Sequence, residues 1–220
     1  MKINILTLFP DMFKGPFDAS IIKRAESRDV IKIEVHDLRK WGESERRNVD
    51  DRPFGGGPGM LLRVDIIDKA LKSLITNHKS PTTQVILLDA TGEKFTQQTA
   101  QNLSKIDHLI LICGHYEGVD HRVHEHLVDK VISIGDYVLT GGEIPAMVLT
   151  DSIVRLIPDV IKPKSLTEES FSLVTNHQSL VTNIEYSQYT RPEEYKGWKV
   201  PKVLLSGNHK EIEKWRKKKL

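Results

Sequence analysis

Ser133-Ile134-Gly135-Asp136-Tyr137-Val138-Leu139-Thr140-Gly141-Gly142-Glu143 is the stretch on which the fold of this 220-residue chain turns. It follows an apolar run, Val131, Ile132 and Ile134, and leads into a nearly uncharged helical segment, Ile144–Ile157. A strand that empties into a glycine loop ahead of a helix is where open α/β proteins place their ligands. Gly135, Gly141 and Gly142 carry no Cβ, so the backbone can turn sharply and press its amides against a bound molecule. A plain strand-to-helix turn would use the same residues, so the rest of the chain has to decide.

Outward from this loop, period and punctuation give strand and helix in alternation over the first 160 or so residues. Strands are expected at Ile3–Leu8, Ile31–Leu38, Val85–Leu88, Leu109–Cys113 and Val131–Ile134. Helices are expected at Ala19–Ser27, Asp65–Asn77, Thr96–Ser104, Asp120–Asp129 and Ile144–Ile157, while Trp41–Met60 is too irregular for either state. Such alternation, with continuous apolar strands, implies a parallel sheet covered on both faces. Three strands end in comparable loops: Asp89-Ala90-Thr91-Gly92, Gly114-His115-Tyr116-Glu117-Gly118, and the opening stretch itself. Parallel strands carry their carboxyl ends to one edge, so the three loops should converge on one ligand crevice. Neither G-x-x-x-x-G-K-[ST] nor G-x-G-x-x-G after the first strand is present. The expected ligand is therefore held by main-chain amides and apolar walls, not by its phosphates.

From Lys162 to about Ser187 the pattern gives way to Ser, Thr, Glu and Asn, which reads as a linker or lid. A short unit follows, with Tyr195, Trp198, Val203 and Leu204 for a small core and Ser206-Gly207-Asn208 to cap a last helix. The expected organisation is 1–161, 162–187 and 188–220. From Tyr186 onward there are 10 Lys/Arg against 4 Glu, a surplus of six, leaving 22 basic and 26 acidic residues for the remainder. That asymmetry suits a C-terminal unit that meets a polyanion. The longest apolar runs are too short to span a bilayer, Met1–Pro10 reads as a strand and not a leader, and the expected compartment is the cytoplasm. Cys113, the one cysteine, lies in an apolar run and reads as a core thiol.

Asp151 and Arg155 stand four apart on the apolar helix and need partners there. They either pair internally, or Arg155 meets something anionic at the crevice or at an interface. His115, His121, His124 and His126 match no common zinc spacing, so no metal is assigned. Glu117, Asp120, Asp136, Glu143, Asp151 and Glu185 are all candidate acids or bases, and spacing does not rank them. Asp50–Met60, with four glycines and two prolines beside Arg46-Arg47, can lie against a phosphate backbone or serve as a plain tether.

Asp50–Met60, Cys113–Asp120, Ser133–Thr140 with Gly141–Met147, Tyr189–Pro192 and Val203–His209 together resemble the bacterial tRNA (guanine-N1)-methyltransferases that modify position 37. The resemblance spans nearly the whole chain, in the family's order and spacing. It implies the SPOUT fold: an α/β parallel sheet with a deep C-terminal trefoil knot, plus a small helical C-terminal domain. It also implies S-adenosylmethionine as co-substrate, tRNA as substrate, a homodimer with active sites at the subunit interface, and dependence on magnesium. The cofactor contacts it implies fall on Leu88, Gly114, Tyr116, Glu117, Ser133, Ile134, Gly135, Tyr137, Leu139, Gly141, Gly142 and Pro145. Glu185 falls where the family keeps its general base, and Arg155 where an arginine stabilises charge developing on guanine O6. RNA contacts are expected at Arg52, Gly55, Gly56, Gly57, Arg191 and Lys214.

Some positions depart from that family's pattern. His115 stands where Arg is usual, Asp89-Ala90-Thr91-Gly92 where Ser-Pro-x-Gly is usual, and the segment between Phe171 and Glu185 is longer. The chain closes on Lys217-Lys218-Lys219-Leu220, short of the final helices of many relatives, from which weaker tRNA binding is expected. A non-catalytic RNA-binding protein on the same fold is the other function class considered, and a flavodoxin-type nucleotide-binding regulator ranks last for want of a phosphate loop.

Overall fold

Five apolar runs, each too short to be a helix, assemble into one parallel sheet. The computed structural model describes residues 1–76, 82–162, 165, 170–171, 173–176, 179–182 and 186–217. It divides into two units, Met1–Lys162 and Pro163–Leu220. The first holds β1 (Lys2–Thr7), α1 (Ser20–Ser27), β2 (Lys32–Asp37), β3 (Asp50–Asp51), β4 (Leu61–Leu62) and α2 (Val64–Thr76). It continues through β5 (Thr83–Lys94), α3 (Gln97–Leu103), β6 (His108–Cys113), α4 (His121–His126), β7 (Lys130–Ser133) and α5 (Glu143–Val154). The sheet order is β2-β1-β6-β5-β7, with every pairing parallel.

Central β6 is buried at all six residues, because both faces of the sheet are covered. Leu109 and Leu111 pack on one side with Ile3, Ile5, Ile22 of α1 and Leu149 of α5. Ile110 and Ile112 pack on the other with Leu6, Leu87 and Ile66, Ile67 and Leu71 of α2. The two-residue period of a strand thus splits one continuous apolar run into two cores.

Most elements fall within a residue or two of their expected places, and the departures are informative. Strand β5 runs on to Lys94 in place of ending at Leu88, because Leu88 and Glu93 both pair with Ile132 and the residues between them bulge out of the ladder. Gly92 closes the bulge against the next strand, where a Cβ would lie 2.5 Å from the Val131 carbonyl carbon. Helix α4 is shorter than Asp120–Asp129: Asp120 caps it by accepting from the Arg122 amide, and Asp129 instead bonds to Val85 at the foot of β5. Within the irregular Trp41–Met60, a short ribbon pairs Asp50 with Leu62 and Asp51 with Leu61 and so closes the glycine-rich loop.

Helix α5 is not buried all round. Ile144 and Val148, four apart on one stripe, are 46% and 39% exposed, so the even spread of apolar residues marks a face left open on this chain.

The second unit holds β8 (Leu173–Asn176), β9 (Ser179–Thr182), β10 (Glu194–Tyr195), β11 (Trp198–Lys199), α6 (Lys202–Leu205) and α7 (His209–Lys217). β8 and β9 pair antiparallel within the stretch expected to be a linker or lid. Ser-Leu-Val-Thr-Asn stands twice, at 172–176 and 179–183, and its β-forming centre is diluted in a count of composition. Asn208 caps α7, its side chain accepting from the Glu211 amide. The small core differs from expectation: Tyr195 and Trp198 lie at the surface. Trp215 gathers Tyr186 and Tyr189 instead, with ring centroids 6.5 and 6.2 Å away. A two-residue ribbon has no second layer to cover its rings.

Candidate active site

Because β5 lies between β6 and β7, their carboxyl ends are neighbours: Leu88 pairs with Cys113 on one side and Ile132 on the other. The loops that leave them enclose a cleft of about 220 Å³. Leu88, Gly114, Tyr116, Glu117, Ser133 and Ile134 line it, as do Gly135, Tyr137, Leu139, Gly141, Gly142 and Pro145. All twelve residues singled out for the cofactor therefore border one cavity. Asp89, His115, Val138 and Thr140 line it too. Val138 and Thr140 alternate with the named residues of the opening stretch, and that alternation was the available signal for them.

Main-chain contacts hold the cleft's shape. The Gly142 amide donates to the Gly114 carbonyl at 2.8 Å, and Gly141 bridges His115. The fit leaves no room for side chains. A Cβ on Gly142 would sit 2.6 Å from Cys113 Cα and 2.9 Å from the Gly114 nitrogen. Ser133 Oγ donates to the Gly135 carbonyl at 3.0 Å, which curls the loop back on its own strand.

Beneath the glycines, Glu143 opens α5 almost wholly buried, and Thr7 Oγ1 donates to its carboxylate at 2.6 Å. The same hydroxyl accepts from the Phe9 amide, so one residue ties the end of β1 to the start of α5. A carboxylate in the first turn is favoured by the helix dipole. The adjacent Cys113 thiol is pushed up, first by burial and then by the Glu143 charge, and so stays protonated in the core. The His115 ring packs edge-on against Phe9 and Tyr116 at 4.8 Å each, and its buried Nδ1 makes no hydrogen bond.

Burial alone would raise the Asp89 carboxyl at the rim. Hydrogen bonds from the Thr91 amide and hydroxyl, with His124 at 3.5 Å, outweigh it and hold the group below its ordinary value. Behind Glu117 runs the glycine-rich loop, joined to the cleft by Glu117 N to Met60 O at 3.1 Å and Leu62 N to Gly118 O at 3.0 Å. A Cβ on Gly59 would strike the Glu117 side chain at 2.3 Å. Gly55, Gly56 and Gly57 all have positive φ and, like Arg52, are exposed.

Arg155 caps the end of α5 half-buried, and Asp151 is exposed. The Arg155 amide donates to the Asp151 carbonyl at 3.2 Å. Arg191 and Lys214 are exposed on the second unit, Lys214 bonding to Glu211 at 2.9 Å. Glu185 lies outside the described residues. Among the described residues, no three His, Cys, Asp or Glu side chains gather as a cation would require. The magnesium that the resemblance implies therefore finds no cluster of three such side chains among them. No helix among them is long and apolar enough to cross a membrane.

Fold and cleft define an α/β protein with a cleft walled by main chain at the carboxyl edge of a parallel sheet. Over residues 1–220 the chain matches the family model described as tRNA (Guanine-1)-methyltransferase TrmD. It is 51% identical over 219 residues to a tRNA (guanine-N(1)-)-methyltransferase of Dictyoglomus turgidum, covering 99% of this chain and 84% of that one. The like-named protein of Bacillus subtilis is 48% identical, with 99% and 86% covered. That of Staphylococcus carnosus is 50% identical, with 98% and 84% covered. The chain belongs to this family, enzymes that methylate N1 of guanine in tRNA.

Proposed function

We propose that the chain transfers the methyl group of S-adenosylmethionine to N1 of guanosine 37 of tRNA, acting in the cytoplasm as a homodimer. The observation that carries this reading is the single cleft bordered by all twelve candidate contacts. Its glycine walls suit the reading, since a Cβ on Gly142 would displace the backbone that forms them. When bound, the co-substrate supplies a methyl group on a sulfonium, already a good leaving group. Leu88, Ile134, Leu139 and Pro145 offer apolar walls to its adenosyl part, and the glycine amides offer donors.

The residues then have to make guanine a nucleophile. At neutral pH N1 holds a proton and has no free lone pair in the ring plane. In the proposed step the Glu185 carboxylate takes that proton. The electron pair freed on N1 forms the new bond to the methyl carbon, and the breaking carbon–sulfur bond leaves its electrons on sulfur. Arg155 stabilises the negative charge that gathers on O6 as the proton departs. The base must be flipped from its stack to reach the cleft. The exposed loop of Arg52 and Gly55–Gly57, together with Arg191 and Lys214, would hold the RNA mostly through phosphates.

The trefoil knot is part of the same reading. Its support is that the chain leaving edge strand β7 returns to lie against β6, with Gly142 on Cys113, while Gly92 after the bulge packs on the β7 backbone at Val131 and Ile132. The dimer is supported by the open stripe of α5 and by Val138, 90% exposed. Methylation of an unmodified tRNA transcript, with the modified atom located by mass spectrometry, tests the whole. Glu185→Gln should lower kcat by at least about a hundredfold while calorimetry shows S-adenosylmethionine still binding. Full activity in that variant removes Glu185 from the mechanism, and absence of binding heat in the wild-type protein favours a non-catalytic RNA-binding role.

A further inference from the structure

The ribbon of the second unit presents two aromatic rings where a core is expected. Lys196 and Gly197, with φ of 53° and 85°, join β10 to β11 in the kind of two-residue turn whose twist matches a tight hairpin. Tyr195 stands directly opposite Trp198, so both rings rise from one face of the ribbon. Their centroids are 5.9 Å apart and their planes inclined at 60°. Tyr195 is 54% exposed and Trp198 72%.

Ring contact of this kind steadies a hairpin, yet that role does not call for an indole nearly three-quarters in water. The surrounding charge suggests what covers it. Lys196 Nζ sits 5.4 Å from the Tyr195 ring centre, leaving the neighbouring indole as the open face. Lys199 follows Trp198 and pairs with Glu194 at 3.4 Å on the other face of the ribbon, and Lys202 opens α6. An accessible π face beside an ammonium group is how proteins hold single-stranded nucleic acid: the ring stacks on a base and the cation meets its phosphate. A protein partner would gain from the apolar surface but not from the lysines.

We infer that the Tyr195–Trp198 ribbon is a stacking platform for an unpaired nucleotide of the RNA, with Trp198 in contact and Lys196 beside the phosphates. The inference rests on the RNA-binding reading above and assigns it a particular surface. It is tested by titrating an anticodon stem–loop RNA, and a blunt-ended RNA duplex of the same nucleotide count, against the full chain and its variants. Trp198→Ala should weaken stem–loop binding about tenfold and leave the paired duplex and S-adenosylhomocysteine bound as before. It should not change the slope of log affinity against log salt, because stacking neutralises no phosphate. Trp198→Phe should recover most of the affinity, and Lys196→Ala should reduce the slope by about 0.7.

Equal loss for both RNAs, or loss for neither, overturns the inference. So does unchanged RNA affinity with an altered oligomeric state in Trp198→Ala, the mark of a protein-docking surface. Should Trp198→Ala fail to fold, two readouts decide instead: the Lys196→Ala slope, and quenching of indole emission by the stem–loop that Trp198→Phe abolishes. If the wild-type chain binds neither RNA, the broader RNA reading falls and takes this surface with it.

Discussion

Gly142 shows how little latitude the cleft allows. Its φ of −83° is open to any residue, so the requirement for glycine there is one of space and not of conformation. The position a Cβ would take is filled by main-chain atoms of Cys113 and Gly114, which cannot rotate away as a side chain could. Gly142→Ala should therefore part the crossing from β6, destabilise the fold by about 1–3 kcal/mol and weaken S-adenosylhomocysteine binding at least about tenfold. Calorimetry with denaturant melts checks both figures, and wild-type affinity in that variant would show that the crossing does not shape the cleft. Thr7 is a second case. One hydroxyl serves a buried carboxylate and a backbone amide, and no local pattern links residue 7 to residue 143.

At the scale of elements, β2 contributes a charge cluster as well as a sheet edge. Glu34 is reached by Lys2 at 3.0 Å and Lys32 at 2.6 Å. The Lys32 hydrogen bond acts first to hold its carboxyl at about 2, against partial burial and with help from Lys2. The unfolded carboxyl titrates near 4.5, so the folded state gains stability that is complete above that pH and is lost as pH falls toward about 2. Solvent screening limits the gain to about 1 kcal/mol. Glu34→Gln should accordingly lower the urea midpoint at pH 7, and the gap from wild type should close between pH 4.5 and pH 2. A gap that is constant with pH would mean that the lysines do not stabilise the carboxylate. Elements also show where local reading holds. The alternation of apolar strands with amphipathic helices was legible because sheet and helix bury faces of different period. The run of β5 past Leu88 was not, since a polar bulge continues pairing only where β7 lies alongside.

At the scale of the whole molecule, the exposed stripe of α5 has to be reconciled with water. Ile144 and Val148 lie on the helix that begins at the cleft, and Leu139 and Val138 precede it, so the same segment offers ligand walls and an apolar outer face. In the proposed homodimer that face is the contact. Val148→Glu would bury a carboxylate there and should give a monomer by analytical ultracentrifugation, with catalysis lost and the melting temperature of the sheet unit little changed. A wild-type chain that sediments as a monomer, or a variant that remains a dimer, would reject the interface.

The sequence by itself determined the parallel α/β class, the three glycine-bearing loops and the basic bias of the C-terminal unit, because period, backbone freedom and charge are local properties. The family likeness rests on two of those loops, Cys113–Asp120 and Ser133–Met147, and on Asp50–Met60, Tyr189–Pro192 and Val203–His209 outside them. Tertiary structure decided the rest: that β5 stands between β6 and β7, so that three loops share one cleft, and that Glu143 is seated under Thr7. It also decided that Tyr195 and Trp198 stay in water. Each of these depends on which segments lie side by side, and long-range pairing leaves no trace in the composition of either partner.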